Sequence, residues 1–328
     1  MSPLSFITRT QAAKQPLDIQ TTPTSPGEPA KVVWRPQTEA VTVEGAVATI
    51  AAGTETEPLV VETIRPGVVQ VTGEIPVDSA PTLSIAQVPD PAAFARTAFI
   101  EALGRAGVTV AADATGPNPT DALPQPSLYS TERKLAEHVS PPLSEYIKVI
   151  LKVSYNRSAD LMLCLAAAKA GNRDCTAGIG QELALLGRLG IGESGTYPFD
   201  GAGSVDQGKT SPADEVAMLT RIMKEPWGEH IRKGMAVLGV DGTQATNGVG
   251  TPAAGHISIK DGARATFGPG EYQGIILAKT QVGYIDAKSG RQLVYGIFLN
   301  NAPLAEIADF MAADHDIAAI AAAIQQAY

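Results

Sequence analysis

The C-terminal third of the chain carries the pattern that most restricts the fold. Four short β-rich apolar runs predict strands there, and turn residues such as those at 286–290 separate them. An alanine-rich stretch, Asp316–Tyr328, predicts a terminal helix. Successive strands followed by a helix favour an α+β fold, an antiparallel sheet with helices on its faces. The predicted strands are Ile257–Lys260, Gly274–Lys279, Gln281–Ile285 and Leu293–Leu299.

The middle of the chain predicts helices. Pro141-Pro142 precedes one of them, and Ser211-Pro212 supplies an N-cap and a first helical residue for another. The predicted helices are Leu143–Lys152, Ser158–Ala170, Gln181–Leu189 and Ser211–Lys224.

The N-terminal part predicts a separate β-rich domain. Its β-branched runs are divided by turn residues such as Arg65-Pro66-Gly67. The runs are Val41–Ile50, Leu59–Ile64 and Val68–Thr72.

Between these regions, Asp90-Pro91 predicts the N-cap and first residue of a helix, which we expect to end near Gly104. Val108–Val110 predicts a strand, and the proline-rich segment 116–126 predicts a connector. We therefore expect three parts: a β-rich domain over 1–88, a helix, strand and connector over 89–126, and an α+β domain over 127–328.

Composition narrows the classes of function. A chain of 328 residues with 44% hydrophobic residues can build two or three globular domains. A formal net charge of −9 argues against nucleic-acid binding, which needs a basic face. No apolar stretch reaches the length of a membrane span, and Met1–Ile7 shows no signal-peptide pattern.

The two cysteines, Cys164 and Cys175, leave two alternatives open: one local disulfide, or a buried thiol and an unrelated loop thiol. The four histidines are scattered along the chain, so we expect no metal site and no cofactor.

The candidate site is built on Ser154-Tyr155-Asn156, within the run His138–Asp160, and on Lys260-Asp261-Gly262. Together these segments resemble the penicillin-binding D-alanyl-D-alanine carboxypeptidases of the serine type, in the group with domains inserted into the catalytic domain. The resemblance spans nearly the whole chain. Its most specific pieces are His138–Asp160, Phe199–Ser204, Val237–Thr243, Pro252–Gly262, Val282–Ile285 and Leu293–Asn301.

The resemblance implies roles for individual residues. Ser154 resembles the hydroxyl that relays a proton to the leaving amine, and Asn156 resembles the amide that grips the acyl chain of the substrate. Lys260 resembles the cation of the family's Lys-Thr-Gly motif, and Gly262 its glycine. Two simpler alternatives exist: Ser154 caps the following helix, and Lys260 is an ordinary exposed strand lysine.

The chain also departs from the family pattern. No lysine has a serine three residues before it, so the nucleophile motif Ser-x-x-Lys does not occur. Thr131 stands three residues before Lys134, but it lies after the inserted region, whereas the family's first motif lies before it. We expect the chain to begin after the nucleophile segment, with residues 1 to about 110 resembling the later part of the inserted region. Asp261 replaces the family's threonine, where it would face the substrate's carboxylate and pair with Lys260, or else turn out into solvent.

The sequence therefore predicts a D-alanyl-D-alanine carboxypeptidase-like protein of peptidoglycan metabolism, inactive as this chain because its nucleophile is missing. A non-catalytic peptidoglycan-binding or scaffold protein is the main alternative, and an esterase or β-lactamase relative is a weaker one. The implied partners are stem peptides ending in D-Ala-D-Ala and β-lactams held without a covalent bond. The implied location is periplasmic or otherwise extracytoplasmic.

Overall fold

The computed structural model describes residues 16–88, 90–116, 128, 132, 134–172, 174–192, 195–203, 208–267 and 274–328. It divides into two compact units, Met1–Glu137 and His138–Tyr328. Thr131 and most of the predicted connector lie outside the described residues. The three-part division with its boundary at residue 126 therefore stays a prediction.

The N-terminal unit is built mainly from strands. Its elements are β1 (Pro16–Thr22), β2 (Lys31–Arg35), β3 (Thr42–Glu44), β4 (Val47–Ile50), β5 (Val60–Arg65), β6 (Val68–Pro76), β7 (Thr82–Gln87) and the helix α1 (Pro91–Arg105). One sheet has the order β2-β1-β7, and a second has the order β3-β6-β4 with β5 also paired to β6. The sequence analysis did not predict the individual strands β1, β2 and β7. The alternation of Leu17, Ile19 and Thr21, all fully buried, was the available signal for β1.

A glycine divides the predicted strand Val41–Ile50 into β3 and β4. Gly45 has φ +105°, and a Cβ at this position would lie 2.3 Å from the Val71 carbonyl oxygen. Only glycine tolerates both the positive φ and the close backbone approach. Both short strands nevertheless pair in parallel with β6.

The start of α1 is confirmed, but the strand predicted after it is wrong. The Asp90 carboxylate accepts hydrogen bonds from the Ala92 and Ala93 amides, at 3.1 and 2.9 Å, and Pro91 is the first helical residue. Val108–Val110 forms no strand, and Val108 is about half exposed. β-Branched composition alone does not make a strand where no neighbouring strand edge is available for pairing.

The C-terminal unit has the predicted α+β architecture. Its elements are α2 (Leu143–Lys152), α3 (Asn156–Lys169), α4 (Ala177–Arg188), α5 (Pro212–Ile222), α6 (Gly228–Gly234), β8 (Ala236–Val237), β9 (Ile257–Phe267), β10 (Gly274–Asp286), β11 (Gln292–Leu304) and α7 (Ile307–Ala327). The sheet is antiparallel, in the order β11-β10-β9-β8.

Each face of this sheet packs against helices. Ile257, Ile259 and Ile285 share a fully buried cluster with Ala318 and Ala321 of α7. On the opposite face, Tyr284 packs with residues of α2, α5 and α6; this cluster comprises Leu219, Met235, Leu151, Ile222, Met223, Ile231, Val282 and Val294. Because side chains alternate along a strand, successive residues of β9 point into these two different layers.

Several element bounds differ from the sequence prediction, among them the end of β11 at Leu304 and the start of α4 at Ala177. Three others differ for a clear physical reason. Residues 274–279 and 281–285 form the single strand β10, whose register with β9 shifts between Ile276 and Ala278. Strand β9 runs on to Phe267, because the ladder with β10 continues past Asp261 and Gly262. Helix α7 begins at Ile307 rather than Asp316, where Glu306 and Asp309 form a capping box.

Candidate active site

Ser154 lies in a three-residue turn between two helices. Helix α2 ends at Lys152 and α3 begins at Asn156. Ser154 has φ +53°, which is uncommon for a residue with a Cβ. Such a conformation costs about 1–2 kcal/mol, and residues held this way are concentrated at functional sites.

Lys260 of β9 reaches this turn. Its ammonium nitrogen donates a hydrogen bond to Ser154 Oγ at 2.8 Å, across 106 positions of sequence. The ammonium also bonds to the carbonyl oxygen of Asp261. Burial lowers the pKa of the Lys260 ammonium, and the nearby Asp261 opposes part of that shift. The sheet and the helical layer therefore meet at a lysine–serine contact.

The two simpler alternatives for these residues do not describe the structure. Helix α3 is capped at Tyr155 without a side-chain hydrogen bond, so Ser154 is not its cap. Lys260 is largely enclosed and hydrogen-bonded rather than an exposed strand lysine.

Asn156 lies close to Ser154 in the sequence, and Gly262 lies close to Lys260. Asn156 is half-buried and is the first residue of α3, two residues after Ser154. Gly262 follows Lys260 by two residues on β9 and therefore lies on the same face of the sheet. A Cβ at Gly262 would lie 3.1 Å from the Thr280 hydroxyl oxygen. The structure thus brings Ser154 and Lys260 into contact and places Asn156 and Gly262 beside them in sequence.

Asp261 belongs to the other face of β9. Its carboxylate accepts a hydrogen bond from the Thr243 hydroxyl at 2.6 Å and a long one from the Gln244 amide at 3.4 Å. Both residues belong to the 3₁₀ turn Gly242–Gln244. The carboxylate is therefore held by that turn instead of extending into solvent.

An ion pair that the sequence analysis missed fixes the end of α2. The Lys152 ammonium lies 2.7 and 2.6 Å from the two carboxylate oxygens of Asp241. Asp241 also accepts a hydrogen bond from the Val237 amide at 2.9 Å. Since Lys152 is two residues before Ser154, this pair ties the Ser154 turn to strand β8. No local pattern predicts a contact between residues 89 positions apart.

The segment 199–203 packs against α3 through a carboxylate. The Gly201 amide donates a hydrogen bond to Asp160 at 3.0 Å. A Cβ on Gly201 would lie 2.6 Å from the Ala159 carbonyl oxygen, so glycine permits this close approach. Burial raises the pKa of the Asp160 carboxyl, and Asp200 adds to the shift. Ser204, the last residue of the predicted stretch, lies outside the described residues.

The structure resolves the open question of the cysteines. Cys164 of α3 and Cys175, just before α4, form a disulfide. The close contact of Gly178 with the Leu163 backbone brings the same two helices together. Helix α3, which carries Asn156, is therefore covalently linked to the segment that precedes α4.

Strand β9 presents a free edge next to the lysine–serine contact. Strand β8 pairs only with Ser258 and Ile259. From Lys260 to Phe267, the outer edge of β9 has no strand partner in the described part of the chain. An exposed strand edge can bind an extended peptide through main-chain hydrogen bonds. The arrangement can therefore hold a peptide with Ser154 and Lys260 at one end of it.

Two kinds of feature are absent from the described ranges. No group of three or more His, Cys, Asp or Glu side chains there is arranged to hold a metal ion. None of the helices described is both long enough and apolar enough to cross a membrane.

An antiparallel sheet with helical layers, a Ser-x-Asn turn and a strand lysine bonded to that serine are features of the class of folds that includes the penicillin-binding proteins. The chain matches the D-Ala-D-Ala carboxypeptidase 3 (S13) family over residues 6–324. It therefore belongs to that family.

Known relatives agree with this assignment. A D-alanyl-D-alanine carboxypeptidase of Actinomadura sp. (strain R39) is 32% identical over 254 residues, which are 75% of this chain and 46% of that protein. The chain thus spans about half the length of this curated relative.

Solved structures resemble the fold. Penicillin binding protein 4 from Haemophilus influenzae is similar with a TM-score of 0.60 and 20% identity, over 87% of this chain and 59% of that one. The same protein in complex with a β-lactam gives a TM-score of 0.57 at 20% identity, over 87% and 62% of the two chains.

Proposed function

We propose that the space between the Ser154 turn and the free edge of β9, which we call the cleft, binds peptidoglycan stem peptides ending in D-Ala-D-Ala and supplies the proton relay of a serine-type carboxypeptidase. The observation that carries the proposal is the 2.8 Å hydrogen bond from the Lys260 ammonium to Ser154 Oγ, beside the free edge of β9. Family membership supports the same class of substrate.

The geometry suits a relay of one proton. A serine hydroxyl has one donor and two acceptor positions. The Lys260 ammonium occupies an acceptor position of Ser154, which leaves the hydroxyl proton available for the nitrogen of a departing amine. A nearby cation also lowers the cost of negative charge that develops at such a site.

The attacking hydroxyl has to come from another group. A serine is a weak nucleophile until a neighbouring base takes its proton, and residues 1–328 contain no Ser-x-x-Lys. We therefore propose that this chain binds peptides and β-lactams without forming an acyl-enzyme. The Lys260–Ser154 contact also suits the second candidate function, a non-catalytic peptidoglycan-binding protein.

The proposed location is outside the cytoplasm, in the periplasm or at the cell wall. The Cys164–Cys175 disulfide supports it, because disulfides persist mainly in oxidising compartments.

Calorimetry with diacetyl-L-Lys-D-Ala-D-Ala tests the binding proposal. We expect measurable binding that falls at least about tenfold in Lys260→Ala, since a hydrogen bond to a charged group contributes about 1.5–3 kcal/mol. Lys288→Ala, at an exposed lysine of the same unit, is the matched control and leaves the affinity unchanged. Equal affinities in both variants, or no heat with the wild-type chain, would refute the proposal.

Fluorescent penicillin tests the second half of the proposal. We expect no covalent label on the 328-residue chain after denaturing electrophoresis. A label that remains on a serine after denaturation would show that the chain has its own nucleophile.

A further inference from the structure

We infer that Asp261 makes this cleft select peptides whose terminal group is a neutral hydrogen-bond donor, such as a carboxamide, over peptides ending in a free carboxylate. The inference rests on the proposed function and concerns which end group the same cleft accepts. It arises from a residue that departs from the family's Lys-Thr-Gly pattern.

Asp261 and Lys260 flank one end of the free strand edge. Side chains alternate along β9, so these two neighbours lie on opposite faces of the sheet. A peptide added to the outer edge beyond Ile259 would have the Lys260 side chain on one face and that of Asp261 on the other. The terminal group of such a peptide therefore lies at a strand edge that carries an ammonium on one face and a carboxylate on the other.

The Asp261 carboxylate is oriented and keeps acceptor capacity. The Thr243 hydroxyl holds Oδ1 at 2.6 Å, whereas Oδ2 has only the 3.4 Å contact with the Gln244 amide. An ionised carboxylate is an acceptor with about four lone-pair positions. Asp261 is half-buried, so part of it remains accessible.

Two lysines of this sheet have other contacts. Lys260 bonds to Ser154 Oγ and to the backbone carbonyl of Asp261. Lys279, two positions before Gln281 on β10, lies 3.3 Å from the Asp314 carboxylate and over the Phe310 ring. Both ammonium groups therefore donate to these partners, although the Lys260 charge is still felt by Asp261.

The cross-strand neighbour of Asp261 is an amide. Gln281 stands directly opposite Asp261 in the β9–β10 register and is fully buried. In the described part of the chain, both polar atoms of its side chain lack a hydrogen-bond partner, and so does the buried Tyr295 hydroxyl. Tyr295 lies close enough for Asp261 to add to the upward shift of its pKa, which burial dominates. This layer offers neutral donors and acceptors beside an anion.

These surroundings favour one end group over the other. A carboxamide can donate N–H to Asp261. A free carboxylate would be attracted by Lys260 and repelled by Asp261. Like charges about 4 Å apart repel strongly enough to change an affinity at least about fivefold.

The test compares two ligands that differ at one group: diacetyl-L-Lys-D-Ala-D-Ala and its C-terminal amide. Calorimetry on the full 328-residue chain at low salt should give at least about fivefold tighter binding of the amide. Asp261→Asn keeps the size of the side chain. This variant and Asp261→Thr should each shift the ratio of the two affinities at least about fivefold toward the carboxylate. Asp316→Asn makes the same change of charge at an exposed position of α7 and should leave the ratio unchanged.

The outcomes separate this inference from the proposed function. Binding of both ligands with the carboxylate preferred, or a ratio that Asp261→Asn does not alter, overturns the inference alone. No binding of either ligand overturns the proposed function and the inference with it. A real charge effect also makes the ratio fall toward one in high salt, and a ratio independent of salt contradicts it.

Discussion

Replacing Lys260 by methionine should raise the stability of the C-terminal unit at neutral pH while it removes ligand binding. The Lys260 ammonium is buried against two neutral oxygens, Ser154 Oγ and the Asp261 carbonyl. Taking an ammonium out of water costs several kcal/mol, which hydrogen bonds only partly restore. Residues placed for ligand binding often carry such a cost.

The magnitude follows from the atoms that change. Two hydrogen bonds from a charged donor contribute about 3–6 kcal/mol together, somewhat less than the desolvation cost of the ammonium, because burial dominates the lowered pKa of Lys260. The aliphatic part of Lys260 is matched by that of methionine. Methionine also adds about one buried methyl group, near 0.8 kcal/mol. We therefore expect Lys260→Met to be about 1 kcal/mol more stable at pH 7.

The pH dependence has a defined sign. The Lys260 pKa is lower in the folded state than in the unfolded chain, where an ordinary lysine titrates near about 10.4. Below the folded pKa both states carry the proton and the cost is fully present. Between the two pKa values the unfolded chain binds more protons, so the free energy of unfolding rises with pH. The advantage of Lys260→Met should therefore shrink as the pH approaches about 10.

Tryptophan fluorescence can follow this unit separately. The chain has two tryptophans, so a Trp34→Phe background leaves Trp227 as the reporter in urea unfolding. Lys288→Met, at an exposed lysine, serves as the control and should change stability by less than about 0.5 kcal/mol. A loss of more than about 1 kcal/mol in Lys260→Met would show that the ammonium stabilises the fold, and a difference independent of pH would contradict a lowered pKa of Lys260 in the folded state.

Three further changes test the framework around Ser154. Lys152→Met should cost about 1–3 kcal/mol, because it leaves the Asp241 carboxylate without its ion pair, and a double-mutant cycle with Asp241→Asn should show coupling. Gly283→Ala should cost more than about 3 kcal/mol or prevent folding, since the new Cβ would lie 1.9 Å from a β9 carbonyl oxygen. Removing the disulfide with Cys164→Ser and Cys175→Ser should cost about 2–3 kcal/mol for this short loop; all three are measured by urea unfolding.

The lysine and glycine variants each have a matched control, and the disulfide has a defined contradicting result. Lys134→Met breaks an exposed pair with Glu137 and should change stability by less than about 1 kcal/mol. Gly187→Ala, where a Cβ meets no atom within 4 Å in α4, should be neutral or stabilise by up to about 1 kcal/mol. For the disulfide, equal midpoints of wild type and the double serine variant would contradict the prediction, as would an unaltered midpoint on adding reductant.

Local signals in the sequence were sufficient for several elements. Helix α2 has its predicted bounds, because Pro141-Pro142 precedes an apolar stripe that suits a helix and not a strand. Asp90-Pro91 marked the start of α1 through capping chemistry that involves only neighbouring residues. The family motif identified Ser154, Asn156 and Lys260 before any geometry was available.

Long-range strand pairing explains why some strands were predicted with the wrong extent or in the wrong place. Asp261 and Gly262 are poor strand formers, so β9 was predicted to end at Lys260, yet its ladder with β10 carries the strand to Phe267. Val108–Val110 shows the opposite case, a good strand composition that forms no strand. Strand formation depends on an available neighbouring edge, which a local pattern does not report.

The sequence by itself determined the class of fold, the family and the identity of the Ser154 and Lys260 groups, since these follow from periodicity and short motifs. Only the tertiary structure decided that Lys260 meets Ser154 across 106 positions, that Lys152 meets Asp241 across 89, and that Asp261 is held by Thr243. Such contacts depend on how helices pack onto a sheet, and no spacing along the chain encodes the distance between two side chains brought together in this way.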